Sequence, residues 1–448
     1  MPQRNFLILL VMTAVSFACY VRGGQNPYTR YVASGLAAID EDAATKVPDR
    51  ELFNAAMQGM VEVLHRRGDV HSEFLTEEEA DPLRAEIRQQ FGGIGVRIRF
   101  VGEPPRLMIV GPPEPASPAA RANLLPGDQI LAIDDQPTAG MSMGAVLLRM
   151  RGQPGTSVRL TVEQEHEAEP RIVELTRELI SIESILGDVH AKDGTWQFAL
   201  TTDPRIAQVR ITSFGDHTAE ELTKVLDQLT AGGVQAVVLD LRDNAGGALD
   251  AAVAVCDLLL PGGKAVVETR GRDRSLQQKY VTTQGDKRFL NLPLAVIVNQ
   301  NSASAAEIVA ACLQDHGRAV VVGQRSYGKG SVQQLLPMES GKSLLKLTSA
   351  SFWRPSGANI HRAPEAPESA KWGVSPNSGH EVSLSPDEYA VYRRYRVQRD
   401  MLGRDSGTEI EEPDEPDEPP VPDDFVDVQL KKAVDYLRGE LERPGTTN

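Results

Sequence analysis

The segment NSASAAE, residues 301–307, lies between two runs of contrasting composition. Residues 292–298 before it form a short apolar run rich in β-branched residues, which indicates a buried strand. Residues 305–315 after it are rich in helix formers, which indicates a helix. Ser304 is therefore predicted to lie at a turn between a strand and a helix.

The segment YGKG, residues 327–330, is predicted to return to the level of Ser304. A helix of about a dozen residues rises roughly 18 Å, and the run at 319–323, if extended, covers that distance in the opposite direction. A serine hydroxyl becomes a good nucleophile when an adjacent base takes its proton. A lysine serves as that base when its surroundings keep it neutral, so Ser304 and Lys329 together predict a serine hydrolase with a lysine base.

Residues near Lys329 are suited to support it. Gly328 and Gly330 allow the backbone to pack closely around the lysine. If residues 330–338 are extended, the period of two places Lys329 and Gln333 on one face. The Gln333 amide would then orient the amine, as the third member of a catalytic triad orients the base.

An oxyanion hole needs backbone N–H groups that point at the developing negative charge. Ala305, directly after the serine, offers one such donor. Gly246 or Gly247 offers the other, because both follow a strand predicted at 236–241.

Each residue also has a purely structural interpretation. Ser304 with Glu307 three positions later matches a capping box, which begins a helix without catalysis. Lys329 between two glycines is also typical of a solvated hairpin lysine. The joint pattern, rather than either residue alone, favours catalysis.

Two other chemistries fit the same region less well. Residues 323–329 match a phosphate-binding loop up to its lysine, but Gly330 stands where Ser or Thr should bind magnesium. A Ser-His-Asp triad of Ser304, His316 and Asp315 fails if the helix is continuous, because twelve residues separate His316 from Ser304 by about 18 Å.

Three segments together resemble the carboxy-terminal processing proteases, also called tail-specific proteases: SASAAE at 302–307, LQDHGRA at 313–319 and GKGSVQ at 328–333. The resemblance implies that Ser304 is the nucleophile and Lys329 the general base, with Gln333 supporting the lysine. It also implies an α/β fold, with a crotonase/ClpP-like protease core, an inserted PDZ domain and an N-terminal helical region.

Other segments extend the resemblance. DLRDNAGG at 240–247 is similar to the family's oxyanion loop, with Ala245 where proline is usual. GVSPN at 373–377 ends in asparagine where the family commonly has aspartate. These departures concern the local structure of the two loops rather than catalysis.

Residues 119–137, which include a Pro-Gly-Asp turn, resemble a PDZ domain. PDZ domains add a chain's C-terminal tail to an open sheet edge and hold its carboxylate with backbone N–H groups of a glycine-rich loop. Gly93, Ile94 and Gly95 are the residues expected to do so here. The resemblance implies that this domain selects substrate tails.

The N-terminal segment is typical of a signal peptide. Arg4 precedes an apolar run at 6–18, which is short for a membrane-spanning helix. Secretion, or a periplasmic location, is therefore favoured over an uncleaved anchor. Cleavage after Ala18 would expose Cys19, but residues 16–18 are a poor lipoprotein motif.

Composition agrees with a multidomain protein that has no metal or nucleic-acid partner. The 448 residues suggest about three domains. A net charge of −15 argues against generic nucleic-acid binding, and the eight histidines have no metal-ligand spacing. Cys256 and Cys312 lie in apolar contexts and read as core residues, so we expect no cofactor.

The predicted organisation is a signal peptide or membrane anchor at 1–24, a helical region at 25–90, a PDZ domain at 91–165, a serine protease core at 166–403, an acidic Pro-rich linker at 404–425, and a C-terminal helix and tail at 426–448. The expected function is a serine endopeptidase that cuts proteins selected by their C-terminal tails. A PDZ scaffold that binds peptides without cutting them is the competing class. The sequence leaves open an activating adaptor and a homodimer.

Overall fold

The fold is taken from a computed structural model. It describes residues 12, 13, 16, 26–111, 113–114, 116–164, 169–191, 194–283, 287–363, 365–367, 369–400 and 420–443. Most of the predicted signal peptide and acidic linker therefore lies outside the described residues. The chain divides into two compact units, Met1–Ala80 with Gln333–Thr348 and Asp81–Val332 with Ser349–Asn448.

The helices are α1 (Pro27–Asp42), α2 (Asp49–His65), α3 (Glu77–Arg88), α4 (Pro118–Arg121), α5 (Met143–Met150), α6 (Thr218–Ala231), α7 (Leu249–Leu259), α8 (Ala305–Asp315), α9 (Pro386–Asp400) and α10 (Val428–Leu441). The first strands are β1 (Glu73–Leu75), β2 (Gln90–Gly93), β3 (Arg97–Val101), β4 (Arg106–Gly111), β5 (Gln129–Ile133), β6 (Gln136–Pro137), β7 (Ser157–Glu163), β8 (Arg171–Thr176) and β9 (Glu178–Ser181). The remaining strands are β10 (Ile185–Leu186), β11 (Val189–His190), β12 (Trp196–Gln197), β13 (Ala199–Leu200), β14 (Asp203–Ile211), β15 (Ala236–Asp240), β16 (Ala265–Arg270), β17 (Leu276–Val281), β18 (Leu294–Val298), β19 (Val320–Gly323), β20 (Ser331–Met338) and β21 (Ser343–Trp353). Among these helices, none has the length and apolarity that a membrane span requires.

The first unit contains α1, α2 and a small sheet. Strand β1 pairs antiparallel with β21, with Phe74 opposite Leu345. Met57 and Val61 of α2 pack with Phe74 in a small apolar cluster. Helix α1 contributes no buried residue.

In the second unit, an antiparallel sheet with the strand order β3-β4-β5-β7-β8 contains most of the region predicted to be a PDZ domain. Its core includes Ile109, Ile133 and Leu160, which are completely buried. Strand β8 pairs with β7 and adds Val173 and Leu175 to the same core. The sheet therefore continues past residue 165, where the sequence analysis ended this domain.

The centre of the second unit is a largely parallel sheet with the order β10-β14-β15-β18-β19. Strands β14, β15, β18 and β19 are parallel neighbours. Every residue of β15 and β18 is buried, which explains their continuous apolar runs, because parallel sheets are covered on both faces. Side chains on one face pack against α6, α7 and α8, and side chains on the other face pack against α10.

Because the strands are parallel, their carboxyl ends meet at one edge of the sheet, where ligand sites of α/β proteins form. Residues 241–248 follow β15, residues 299–304 follow β18 and residues 324–330 follow β19. The three loops that the sequence analysis singled out therefore leave the same sheet edge.

Candidate active site

Ser304 lies between β18 and α8, as predicted. Its φ of 55° and ψ of −115° are unusual for a residue other than glycine, and such strain clusters at functional sites. Its neighbours Ala303 and Ala305 are buried, whereas Ser304 itself is partly exposed. The turn is held by Ser302, whose hydroxyl donates to the carbonyl of Leu241 at 2.7 Å. The serine is therefore presented from a fixed, strained turn.

One carboxylate joins this turn to the lysine loop. The Oε2 atom of Glu307 accepts hydrogen bonds from the backbone N–H of Ser304 at 2.9 Å and of Lys329 at 2.8 Å. By the sum of these distances, the two backbone nitrogens are no more than 5.7 Å apart. The structure thus brings Ser304 and Lys329 together, although 25 positions separate them in the sequence.

The other oxygen of Glu307 binds the same loop. Oε1 accepts from the N–H of Gly328 at 2.7 Å and from the hydroxyl of Ser326 at 2.5 Å. The side chain is completely buried, and burial raises the pKa of Glu307, although the hydrogen bonds oppose that shift. Glu307 accepts the N–H of Ser304 as a capping residue does, but it also holds the lysine loop, which the sequence analysis did not foresee.

The glycines beside Lys329 are required by close contacts. A Cβ atom on Gly330 would lie 2.2 Å from the backbone nitrogen of His361, and one on Gly328 would lie 2.8 Å from the Trp372 ring. Gly328 also has a φ of 88°. The loop therefore packs as closely as predicted, and Lys329 is partly buried within it.

The loop after β15 approaches Ser304 through Gly246. A Cβ atom on Gly246 would lie 2.7 Å from Cβ of Ser304. The N–H of Gly246 donates to Oδ1 of the buried Asn244 at 2.8 Å. In the described part of the chain, the N–H groups of Ala305 and Gly247 make no hydrogen bond. Of the two glycines predicted as donors, Gly247 is therefore the one with an N–H to offer.

Gln333 belongs to the first unit, and its partners there are also residues of that unit. Its Nε2 donates to Oγ1 of Thr348 at 3.3 Å. The Thr348 hydroxyl in turn donates to Oδ1 of Asp69 at 2.8 Å. This chain fixes the orientation of the Gln333 amide.

The predicted tail-binding residues precede β3, which is an edge strand of the PDZ sheet. Gly93 pairs with Glu178 of β9. The Ile94 side chain is buried in the PDZ core, and its carbonyl accepts from the N–H of Ala119 at 3.0 Å. Gly95 has a φ of 78° and leaves no room for a Cβ atom. The three residues therefore end β2 and begin the link to the edge strand β3.

Comparison with known proteins identifies the family. A carboxy-terminal-processing protease of Bartonella bacilliformis is 31% identical over 421 residues, which cover 93% of this chain and 90% of the relative. The carboxy-terminal processing protease CtpA of Bacillus subtilis is 29% identical over 374 residues, which cover 83% of this chain and 72% of the relative. This chain belongs to the carboxy-terminal-processing protease family.

The family profiles agree with this assignment. The profile described as peptidase family S41 matches residues 205–377, and one described as a PDZ domain matches residues 109–164. The chain is thus a serine-type peptidase of family S41 that carries a PDZ domain. A solved structure described as photosystem II D1 C-terminal processing protease is 25% identical in sequence. The match covers 81% of this chain and 94% of the solved chain, at a TM-score of 0.43.

In this member of the family, the C-terminal helix anchors the loop that leads to Gly246. The Arg242 guanidinium is buried and contacts the carboxylates of Asp240 at 2.6 Å and Asp427 at 2.8 Å. It also lies 4.3 Å from the centre of the Tyr392 ring. Burial alone would lower the pKa of Arg242, but the two carboxylates raise it well above its usual value. Sequence reasoning missed this contact because 185 positions separate Arg242 from Asp427.

The alternative chemistries do not fit the geometry. Asp315 and His316 lie at the far end of α8, where Asp315 pairs with Arg354 and the His316 ring contacts the carbonyl of Ala265. Lys329 is followed by strand β20, whereas a phosphate-binding loop requires a helix there. Within the described ranges, no group of His, Cys, Asp and Glu is arranged to hold a metal ion, and Cys256 and Cys312 are free and buried.

Proposed function

We propose that this protein is an endopeptidase in which Ser304 attacks the substrate carbonyl and Lys329 acts as the general base. The observation that carries the proposal is the shared contact of both backbone N–H groups with one oxygen of Glu307. It holds the two residues on neighbouring loops, which is the arrangement that a serine and its activating base require.

The reaction proceeds in two halves. The Ser304 hydroxyl oxygen bonds to the peptide carbonyl carbon while its proton passes to the neutral Lys329 amine. The tetrahedral intermediate collapses, the C–N bond breaks, and the leaving amine takes the proton from Lys329. Water then attacks the acyl carbon and gives a proton to Lys329. The C–O bond to Ser304 breaks, the Ser304 oxygen takes that proton back from Lys329, and the acid product leaves.

Three groups assist this chemistry in our proposal: two backbone N–H groups and one side-chain amide. The N–H groups of Ala305 and Gly247 bind the oxyanion, and removing one such donor typically costs about 10²–10³ in kcat. Gln333 orients the Lys329 amine, and its own amide is oriented by Thr348.

The PDZ domain selects substrates by their C-terminal tails in this proposal. An extended tail would add to the free edge of β3, and the N–H groups of Ile94 and Gly95 would hold its carboxylate. The position of Gly93, Ile94 and Gly95 directly before that edge strand supports the assignment.

We also propose a fold class for the protease core and a location for the enzyme. The parallel sheet flanked by α6, α7 and α8 supports a crotonase/ClpP-like classification of the core, with α1 and α2 as its N-terminal helical region. A signal peptide at 1–24 would direct the enzyme to the extracytoplasmic side. An adaptor and a homodimer are further hypotheses for experiment.

The test uses the chain from Gln25 onward with an unfolded protein that has an apolar C-terminal tail. Wild type is expected to cleave it, and Ser304→Ala and Lys329→Ala variants are expected to lose cleavage while they still bind the tail. Activity that survives in Ser304→Ala would refute the mechanism. Tail binding without cleavage by wild type would instead favour a peptide-binding scaffold.

A further inference from the structure

Glu307 connects the two loops of the site through a single buried carboxylate. Its oxygens accept four hydrogen bonds of 2.5–2.9 Å, from Ser304, Ser326, Gly328 and Lys329. We propose that Glu307 is a positioning residue that sets the separation between the nucleophile and the base. The inference rests on the proposed function, because it assigns Ser304 and Lys329 those roles.

The donors explain why this position needs a carboxylate. Oε2 faces the backbone N–H groups of Ser304 and Lys329, and Oε1 faces the N–H of Gly328 and the hydroxyl of Ser326. An ionised carboxylate accepts at both oxygens, whereas an amide has one acceptor oxygen and an NH₂ donor. In whichever orientation it lies, a glutamine at 307 would point its NH₂ group at a backbone N–H that cannot turn away.

Movement of the chain around a substituted Glu307 would change the distance between Ser304 and Lys329. Its carboxylate is completely buried, so water cannot replace a lost acceptor without a movement of the surrounding chain. The parts free to separate are the Ser304 turn and the Lys329 loop. A general base must lie within about 2.6–3.2 Å of the atom whose proton it takes, and a displacement of about 1 Å can cost roughly 10²-fold in rate. Substitution should therefore reduce turnover more than substrate binding.

Glu221 provides a matched control. It also lies in the first turn of a helix, α6, and its Oε2 accepts from the backbone N–H of Ser184 at 2.9 Å and from its hydroxyl at 2.8 Å. A Glu221→Gln variant makes the same chemical change to a similar hydrogen-bonding glutamate. Its contacts involve neither Ser304 nor Lys329.

The first experiment measures kcat and KM for wild type, Glu307→Gln and Glu221→Gln on the tailed substrate. We expect Glu307→Gln to lower kcat by about 10–100-fold with KM within about threefold, and Glu221→Gln to stay within about twofold of wild type. A kcat for Glu307→Gln equal to that of the control would overturn the inference. Ser304→Ala and Lys329→Ala are measured in parallel.

The second experiment uses only the wild-type protein and does not depend on cleavage. Hydrogen exchange of the wild-type amides is expected to be slow at Ser304, Gly328 and Lys329, as for residues bonded to a buried acceptor. Fast exchange at these amides would overturn the inference, even if Glu307→Gln fails to fold. Slow exchange in a wild-type protein that cleaves nothing would refute the proposed function while supporting the link through Glu307.

Discussion

At the scale of single residues, glycine determines how closely the loops of the site approach each other. Gly246 lies against Ser304, and Gly330 lies against the backbone of His361. A side chain at either position would meet atoms that cannot move independently of the loop. These close contacts determine the paths of the loops, and the paths of the loops determine the positions of the polar groups of the site.

Gly246→Ala is predicted to abolish most of the activity. Its Cβ would lie 2.7 Å from Cβ of Ser304, and its φ of 107° is one that residues with side chains rarely adopt. We expect a backbone cost of about 1–3 kcal/mol and an overpacking cost of about 1–3 kcal/mol. Urea denaturation measures the free energy of unfolding, and the cleavage assay measures kcat.

Gly233→Ala is the control for this prediction. Gly233 also has a positive φ, 86°, but apart from its own chain neighbours no heavy atom lies within 4 Å of the position of its Cβ. It should therefore carry the backbone cost alone and keep its activity. Equal activity of the two variants would mean that Gly246 does not crowd Ser304.

At the scale of elements, helix α10 covers one face of the central sheet and also supports the loop after β15. Ala433, Val434 and Leu437 pack against that face. Asp427, the N-cap of α10, accepts from the N–H of Leu430 and pairs with Arg242. A helix in residues 426–448 was predicted from the sequence, but its ionic contact with Arg242 was not.

Asp427→Asn is predicted to lower the free energy of unfolding by about 3 kcal/mol, which is the lower end of the range for breaking a buried ion pair. The lower end applies because Arg242 still has its ion pair with Asp240. Asparagine still caps α10. The loss of stability therefore measures the missing charge and not a weaker start of the helix. Asp435→Asn on the same helix removes an exposed pair with Lys431 and should cost less than about 1 kcal/mol. Thermal or urea unfolding compares the two, and equal losses would argue against a special role for Asp427.

Helix α1 differs from α2 in how much it contributes to stability. Tyr31 of α1 is 70% exposed, whereas Met57 of α2 is 7% exposed. We expect Tyr31→Ala to change the free energy of unfolding by less than about 0.5 kcal/mol and Met57→Ala to lower it by about 2–5 kcal/mol. Urea denaturation followed by a probe in residues 26–75 measures both. A large loss in Tyr31→Ala would indicate that α1 packs against a surface in solution.

At the scale of the whole molecule, the presence of a PDZ domain in a processing protease predicts that the substrate's free carboxylate matters. Amidation of the substrate's C-terminus should lower kcat/KM by at least about tenfold. The amide lacks the negative charge that the backbone N–H groups of the PDZ domain bind. A substrate acetylated at its N-terminus is the control and should be cleaved like the unmodified one. Equal cleavage of the amidated substrate would contradict selection by tails.

Local patterns were sufficient for the elements around the site. The helix predicted at 305–315 is α8 at the same residues, and the strand predicted at 292–298 is β18 over Leu294–Val298. The strand was predicted from a short apolar run rich in β-branched residues and the helix from a run of helix formers, and both patterns are local. The end of the PDZ sheet was not visible in this way, because β8 belongs to it through pairing with β7.

Residue types at short spacings were enough to predict the family, the strand–turn–helix around Ser304 and the glycines beside Lys329. They did not predict that Glu307 holds both loops, that Asn244 accepts the Gly246 N–H, or that Arg242 contacts Asp427. A buried polar group must be satisfied, but its partner is whichever complementary group the packing brings within about 3 Å. Spacing along the chain carries no information about that partner once a sheet and its helices lie between the two residues.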